Sequence, residues 1–213
     1  QRYIQYPYTK VPIGSNMPIF NIEYTKGIKG ILGSDVDFDK WAFSISDERN
    51  FKIAGSLKYK IGIGGFLNKR SVFIQDYKHF NGNRILLSRY YVNSFQTASY
   101  YQNSSVDAFY SIAHVEHHFN GLLTNKIPLF KKLKWNLVAG SNAFYVDKRS
   151  YYADVFVGLE NILKVLRVDG VWGYVNGKFY ETAVRIGFGG IFSAGVEEDP
   201  LARQRRQGRV LSF

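Results

Sequence analysis

Polar and apolar residues alternate along most of the chain, in runs of about ten residues that end in turn residues. A period of two residues is that of a β-strand, and a helical period of about 3.6 residues is not sustained anywhere. The pattern therefore predicts about eight strands in up-and-down order, at 17–28, 39–48, 51–67, 106–119, 135–146, 152–161, 165–175 and 181–192. Two longer connections interrupt this order, at 68–105 and at 120–134.

Each predicted strand has one apolar face and one face that carries charges or glycine. In the seventh strand, for example, Val168, Trp172 and Tyr174 point to one side. Arg167 and Asp169 point to the other side. A strand in water and a strand in lipid both show this alternation, so the period alone does not identify the solvent.

Three features of the strands favour lipid. They run about ten residues, which crosses a bilayer when the strand is tilted, whereas strands of soluble proteins are typically about five or six residues long. Trp and Tyr cluster near strand ends, as in interfacial girdles. Charges lie in mid-strand on the polar face, at Glu116, Asp169 and Arg185, which suits a wet lumen. The sequence therefore predicts an all-β fold: an antiparallel up-and-down transmembrane β-barrel, with about eight strands present as part of a larger barrel. A soluble β-sandwich or lipocalin-like barrel is the alternative.

The composition agrees with strands and limits the chemistry. Aromatic residues make up 17% of the chain and Gly occurs 20 times, which favours strands and turns over helices. The absence of Cys excludes disulfides and Cys-ligated zinc. A net charge of +11 favours anionic partners, and for a barrel these are outer-membrane lipid and lipopolysaccharide, with no nucleic acid. The first residue is Gln, which favours a processed or partial chain.

Four stretches of the chain resemble one known family. They are "DYKHFNGN" (76–83), "VEHHFNGLLTNKIPLFKKLKW" (115–135), "YADVFVGLENILKVLRVDGVWGYVNGK" (152–178) and "AVRIGFGG" (183–190). Together they look like the carboxy-terminal part of a family of large outer-membrane proteins, which begin with a carboxypeptidase-like regulatory domain and continue into a barrel of unknown function. The resemblance covers residues 15–192. It implies a location in the outer membrane of Gram-negative cells and insertion by the barrel-assembly machinery.

The longest connection is similar, more weakly, to the lumenal loop of outer-membrane assembly and translocation barrels. The stretch "HFNGNRILLSRYYVNSF" (79–95) occupies a comparable loop, and five predicted strands follow it. It departs from that family's motif, because Asn81 stands where the family has Gly, and Arg84 is not followed by its Gly-Phe. The departure puts the lumen-plugging arginine of that family in doubt.

These resemblances imply a function in transport, secretion or envelope and outer-membrane protein assembly, with loop 68–105 as a lumen gate or plug. Which protein substrates would pass is unknown. One alternative is a plugged barrel that binds at the cell surface or is purely structural. Another is a soluble ligand-binding β-barrel.

Inward charges predict a set of contacts between the strands and the loop. Arg84 in the loop and Glu116 on a strand are the leading candidates for a buried ion pair, because an ionised lumen residue needs a partner or water. The other candidates for lumen or loop pairing are His114, His118, Glu160, Asp169 and Arg185. His114, Glu116 and His118 share one strand face at intervals of about 7 Å, too spread to converge on zinc without help from another strand. The sequence therefore predicts no metal site, no cofactor and no enzymatic activity.

Other residues are predicted to contact the membrane or its machinery. The membrane-interface candidates are Lys131, Lys132, Trp135, Trp172 and Tyr174. The first two belong to the connection 120–134, an amphipathic segment expected at lipid headgroups, with a basic solvated turn as the alternative. Phe188 and Phe192 are predicted to form a carboxy-terminal insertion signal on the last strand. Residues 193–213 lack alternation and are predicted to be a disordered basic tail, which leaves 1–192 as the barrel portion.

Overall fold

The computed structural model describes residues 2–5, 7–8, 10–14, 17–88, 92–101, 103–147 and 150–188 of the chain. The strands in this part are β1 (Arg2–Gln5), β2 (Lys10–Gly14), β3 (Ile19–Gly27), β4 (Asp37–Asn50), β5 (Ser56–Ser71), β6 (Leu87–Ser88), β7 (Tyr110–His118), β8 (Asn136–Val146), β9 (Ser150–Ile162), β10 (Leu166–Val175) and β11 (Lys178–Phe188). The helices are α1 (Pro128–Leu133) and 3-10 turns at Ile31–Gly33, Lys52–Ala54, Ile74–Asp76 and Thr124–Lys126. None of these helices has the length and apolar character that a membrane span requires, as far as the described residues go.

Within the described residues, eight long strands form one antiparallel sheet in the order β3-β4-β5-β7-β8-β9-β10-β11. Each of them corresponds to one predicted run, so the up-and-down order is confirmed. The two-residue β6 pairs in parallel with β11, and β1 pairs with β2 in a separate hairpin. In this part of the chain the sheet is not closed, because β3 lies at one edge and β11 with β6 at the other.

Turn chemistry explains two strand boundaries that differ from the predicted ones. β5 begins at Ser56 rather than at residue 51, because Lys52 and Gly55 have φ angles of 56° and 99°, which an extended strand does not allow. β11 begins at residue 178 rather than 181. Asn176 and Gly177, with φ angles of 51° and 75°, form a two-residue hairpin turn, so the strand starts directly after it.

The two faces of the sheet differ in character. The inner face, defined as the face against which residues 72–109 pack, buries Glu116, Asp154 and Asp169 completely, at 0% exposure. The outer face exposes large apolar side chains: Phe20, Ile22, Tyr24, Ile61, Ile63, Val115, Tyr145, Val155, Val157, Val168, Trp172, Tyr174 and Val184. The predicted separation of apolar and polar faces is confirmed. It is the polar face that is buried.

The connection between β5 and β7, called the inner loop (residues 72–109), packs on the inner face through aromatic rings. Phe80 and Phe95 of the loop contact Phe144 on β8, with ring centroids 4.4 Å and 4.8 Å apart. Phe144 stacks in turn on Tyr152 of β9 at 5.2 Å. All four rings are 2% exposed, so the aromatic core of the described chain lies between loop and sheet.

Candidate functional site

Three polar side chains stand next to one another on neighbouring strands of the inner face. His114 on β7, Asn142 on β8 and Asp154 on β9 are direct cross-strand partners, so their side chains share a face. The Nδ2 of Asn142 donates to Oδ1 of Asp154 at 2.7 Å. Oδ1 of Asn142 therefore accepts from Nδ1 of His114, 2.8 Å away, which assigns the His114 proton to Nδ1. Both hydrogen bonds of the row therefore point the same way, from His114 to Asn142 and from Asn142 to the Asp154 carboxylate.

Two consecutive residues of the inner loop bind to the end of this row. The backbone N–H of Gln96 donates to Oδ2 of Asp154 at 2.8 Å, and the hydroxyl of Tyr152 donates to the same oxygen at 2.9 Å. Because the Tyr152 proton is used in that bond, its oxygen accepts from Thr97, through N–H at 2.9 Å and through Oγ1 at 2.7 Å. Gln96 and Thr97 are both 0% exposed. One carboxylate and one phenol thus fix two loop residues.

Arg185 on β11 holds the same part of the loop. Its Nε donates to the carbonyl oxygen of Gln96 at 3.0 Å, and its Nη2 donates to that carbonyl as well. Nη2 also donates to the carbonyl oxygen of Asn83 at 3.2 Å. The structure therefore brings the sequence candidate Arg185 to the loop, where it contacts backbone carbonyls.

Glycines allow the loop to approach the sheet. A Cβ atom at Gly173 on β10 would overlap Oγ1 of Thr97. A Cβ atom at Gly65 on β5 would overlap the carbonyl oxygen of Ala108. Neither position tolerates a side chain unless the loop moves, which is the usual reason for glycine inside a strand.

A second charged cluster lies on the inner face within the sheet itself. Nη1 of Arg167 on β10 contacts Oε1 of Glu116, and its Nε donates to both oxygens of Asp169 at 2.9 Å and 3.0 Å. His118 lies between two carboxylates, with Nε2 3.0 Å from Oε1 of Glu116 and Nδ1 2.9 Å from Oε2 of Glu160. Buried carboxylates need such partners, since removing one partner leaves an uncompensated charge.

All three histidines of "HVEHH" have hydrogen-bond or ion-pair partners, and His117 lies 2.9 Å from the carbonyl oxygen of Ala54 through Nε2. His114 binds Asn142, and His118 lies between Glu116 and Glu160. Within the described residues, no group of three or more His, Cys, Asp or Glu side chains is arranged to hold a metal ion. Cross-strand partners, rather than ligand geometry, account for the polar residues of this strand.

The predicted ion pair between Arg84 and Glu116 is wrong. Arg84 pairs with Glu181 on β11 at 2.9 Å, and both side chains are partly exposed. The cause is the path of the loop, which runs beside β11, where the N–H of Ile186 donates to the carbonyl oxygen of Leu86 at 2.8 Å. Glu116 lies on β7, with β8, β9 and β10 in between.

The membrane-interface candidates lie on exposed surface. Trp172 and Tyr174 project from the outer face of β10, 39% and 37% exposed. Lys131 and Lys132 are exposed in the last turn of α1. Trp135 follows the helix, half-buried, with its ring 5.8 Å from that of Phe130. These positions leave both predicted roles of the segment open: contact with headgroups and a solvated basic turn.

The predicted insertion signal is placed only in part. The backbone of Phe188 ends β11, where it pairs with Leu166. Phe192 and the predicted tail 193–213 lie outside the described residues.

Sequence reasoning missed the residues that hold the loop in place. These are Asn142, Tyr152 and Asp154 on the strands and Gln96 and Thr97 in the loop. Asp154 had a usable signal, a carboxylate in mid-strand on the polar face. Gln96 and Thr97 had no such signal in the sequence, because they contact the sheet mainly through backbone groups, which every residue carries.

Comparison with known proteins gives one match. A family profile described as the C-terminal domain of a family of unknown function, DUF5686, matches residues 1–159. No curated protein matches the chain, and no solved structure matches it. The matched range includes the row of His114, Asn142 and Asp154 together with the whole inner loop.

Proposed function

The chain belongs to the DUF5686 C-terminal domain family, and on that premise we propose that it forms part of a membrane-embedded β-barrel. The proposed location is the outer membrane of Gram-negative cells. The proposed role is transport, secretion or envelope assembly, without enzymatic activity. The proposed partners are outer-membrane lipid, lipopolysaccharide and the machinery that inserts barrels.

The observation that carries this proposal is the inverted distribution of polar and apolar side chains. Val155 and Val157 on β9 are 43% and 41% exposed, whereas Asp154 on the same strand is 0% exposed. The same inversion recurs along the sheet, with exposed apolar residues on the outer face and buried charges on the inner face. Exposed contiguous apolar surface is disfavoured in water, and an apolar outer band around a polar interior is the pattern of membrane barrels.

We also propose that the inner loop acts as a gate or plug in the lumen of the barrel. Phe95, Gln96 and Thr97 are buried against the polar face rather than exposed at its rim. The loop is bound from two strands, by Asp154 and Tyr152 on β9 and by Arg185 on β11. Such bonding also favours the second candidate function, a barrel that stays plugged and acts at the surface or as structure. Conductance across a planar bilayer distinguishes the two.

The membrane proposal is tested by placing a charge on the outer face. We expect Val157→Arg to weaken folding into lipid vesicles by roughly 30- to 700-fold, since Arg at the bilayer midplane costs about 2–4 kcal/mol on the lipid face of a barrel. The measurement is the fraction of chain that becomes protease-protected and heat-modifiable on gels. Urea titration in the presence of vesicles gives the equilibrium.

A matched control is Leu163→Arg, because Leu163 is 80% exposed in the turn between β9 and β10 rather than on the outer face. We expect this variant to fold into vesicles like the wild type. Equal folding of Val157→Arg and wild type would contradict the membrane assignment. So would a monodisperse wild-type protein in plain buffer that does not associate with vesicles.

A further inference from the structure

Part of the inner face is left uncovered by the loop, on the side of β3, β4 and β5. Between the loop and this part of the sheet lies a cleft of about 280 Å³, lined among others by Lys60, Lys78 and His114. A second cleft of about 190 Å³ adjoins it, lined among others by Lys40 and again by Lys78. The two clefts share the lining residues Lys78 and His79, so they adjoin, and together they are called the basic cleft.

The lysines of the basic cleft come from the strands and from the inner loop. Lys60 is the cross-strand partner of His114 on the inner face. Lys78 lies in the inner loop, with its Nζ 5.1 Å from the ring centroid of Tyr110. Burial lowers the pKa of the Lys78 ammonium, and the nearby charge of Lys60 lowers it further. Two partly buried lysines therefore lie near enough for the charge of one to act on the other.

In the described part of the chain, the positive charges of Lys60 and Lys78 are not paired with protein carboxylates. Among the described residues, neither Lys60 nor Lys78 has a carboxylate within ion-pair distance. Lys40 donates to the carbonyl oxygen of Asp76 at 3.2 Å, which is a neutral acceptor. The acid that lines the adjoining cleft is Glu23, exposed on β3, and its charge acts on Lys78 more weakly than that of Lys60. A bound anion would compensate the charge of this pair more closely than Glu23 does.

We propose that this cleft binds a small phosphate-type anion between Lys60 and Lys78. Lysine is a compact point charge without the planar fork of arginine, so the pair selects for charge density rather than for the two-oxygen geometry of a carboxylate. The cleft volume corresponds to several water molecules at about 30 Å³ each, enough for a phosphate group with part of its hydration shell. Asn81 and Asn93 also line the cleft and place amides beside the anion.

The site is built from residues of the inner face and the inner loop, so it does not depend on whether lipid or water covers the outer face. It therefore goes beyond the proposed membrane function, and failure of the vesicle experiment leaves it intact. If the barrel conducts solutes, the site defines the class that the cleft prefers, namely free phosphate-bearing anions.

Titration with inorganic phosphate tests the site, in the detergent or buffer that keeps the whole chain monodisperse. We expect saturable binding of one phosphate per chain, followed by calorimetry and by phosphorus NMR line broadening at constant ionic strength. Lys60→Met and Lys78→Met should each weaken the affinity at least about tenfold, since a charge-assisted contact in a desolvated site contributes that much or more. Lys60→Arg should retain most of the binding, because the charge stays.

The matched control is Lys69→Met, which removes one positive charge from an exposed position on the same strand as Lys60. Equal weakening in Lys69→Met would show that phosphate responds only to net charge and would overturn the proposal. Lack of saturable binding to the wild type would overturn it as well. Circular dichroism identifies any variant that loses the sheet, and in that case Lys60→Gln replaces it.

Discussion

Asp154→Ala is the substitution that tests how the inner loop is held. Asp154 accepts from three groups: the N–H of Gln96 at 2.8 Å, the hydroxyl of Tyr152 at 2.9 Å and Nδ2 of Asn142 at 2.7 Å. Without the carboxylate, the Tyr152 proton remains able to reach Thr97, 2.7 Å away. The buried N–H of Gln96 loses the carboxylate, so the loop loses one hydrogen bond to a charged acceptor.

The size of the effect follows from which bonds differ between the closed loop and the open loop. Asn142 loses its acceptor in both states, so that loss lowers overall stability but cancels from the loop equilibrium. A hydrogen bond to a charged group contributes about 1.5–3 kcal/mol. Loop opening should therefore become roughly 10- to 150-fold more frequent in Asp154→Ala.

Hydrogen exchange measured by mass spectrometry reads this equilibrium at the amides of Gln96 and Thr97. We expect exchange there to rise by the factor calculated above, while amides in the middle of β9 and β10 keep their protection. Unchanged exchange at Gln96 and Thr97 in Asp154→Ala, with the sheet intact, would refute the assigned bonding.

Asp154→Asn is the matched control, because the row of side chains is able to reverse its polarity. The new amide keeps an oxygen toward Gln96 and turns its NH₂ toward Asn142. The Asn142 amide then flips, and His114 accepts at Nδ1 as its other tautomer. Since the N–H of Gln96 still finds an acceptor, we expect exchange at Gln96 to change by less than about tenfold.

Two further substitutions probe the inner face. Arg167→Met should lower the free energy of unfolding by about 3–5 kcal/mol, because it removes the guanidinium that contacts the two buried carboxylates of Glu116 and Asp169. A loss below about 1 kcal/mol in chemical denaturation would contradict this pairing. Gly173→Ala should raise exchange at Thr97 without loss of the sheet, because the added Cβ overlaps Oγ1 of Thr97, and wild-type exchange would show that the loop does not approach β10 so closely.

Strands were predictable here because the alternation of faces is long and regular. Runs of about ten residues with period two leave little choice of element, and the register follows once the turns are short. The turn at Asn176 and Gly177 shows the limit, since its two positive φ angles moved the start of β11 by three residues. The hairpin of β1 and β2 was missed because its strands are only four and five residues long.

Side-chain partners on the inner face were less predictable than the face itself. Glu116 and Asp169 were recognised as inward charges from their positions in mid-strand. Arg167 contacts both carboxylates and lies two residues from Asp169 on β10. Glu116 is three strands away on β7, and nothing in the local sequence encodes that second proximity. Arg84 was assigned to the wrong strand for the same reason, because a loop of this length reaches many positions with similar chain entropy.

The attachments of the inner loop are unequal on its two sides, and this bears on the choice between gate and plug. Toward β9 and β11, Gln96 and Thr97 are held by buried bonds to Asp154, Tyr152 and Arg185. Toward β4 and β5, the described bonds include Nζ of Lys40 to the carbonyl oxygen of Asp76 at 3.2 Å and the N–H of Phe66 to the carbonyl oxygen of Asp107 at 3.1 Å. Widening the basic cleft therefore breaks fewer buried bonds than withdrawing the loop.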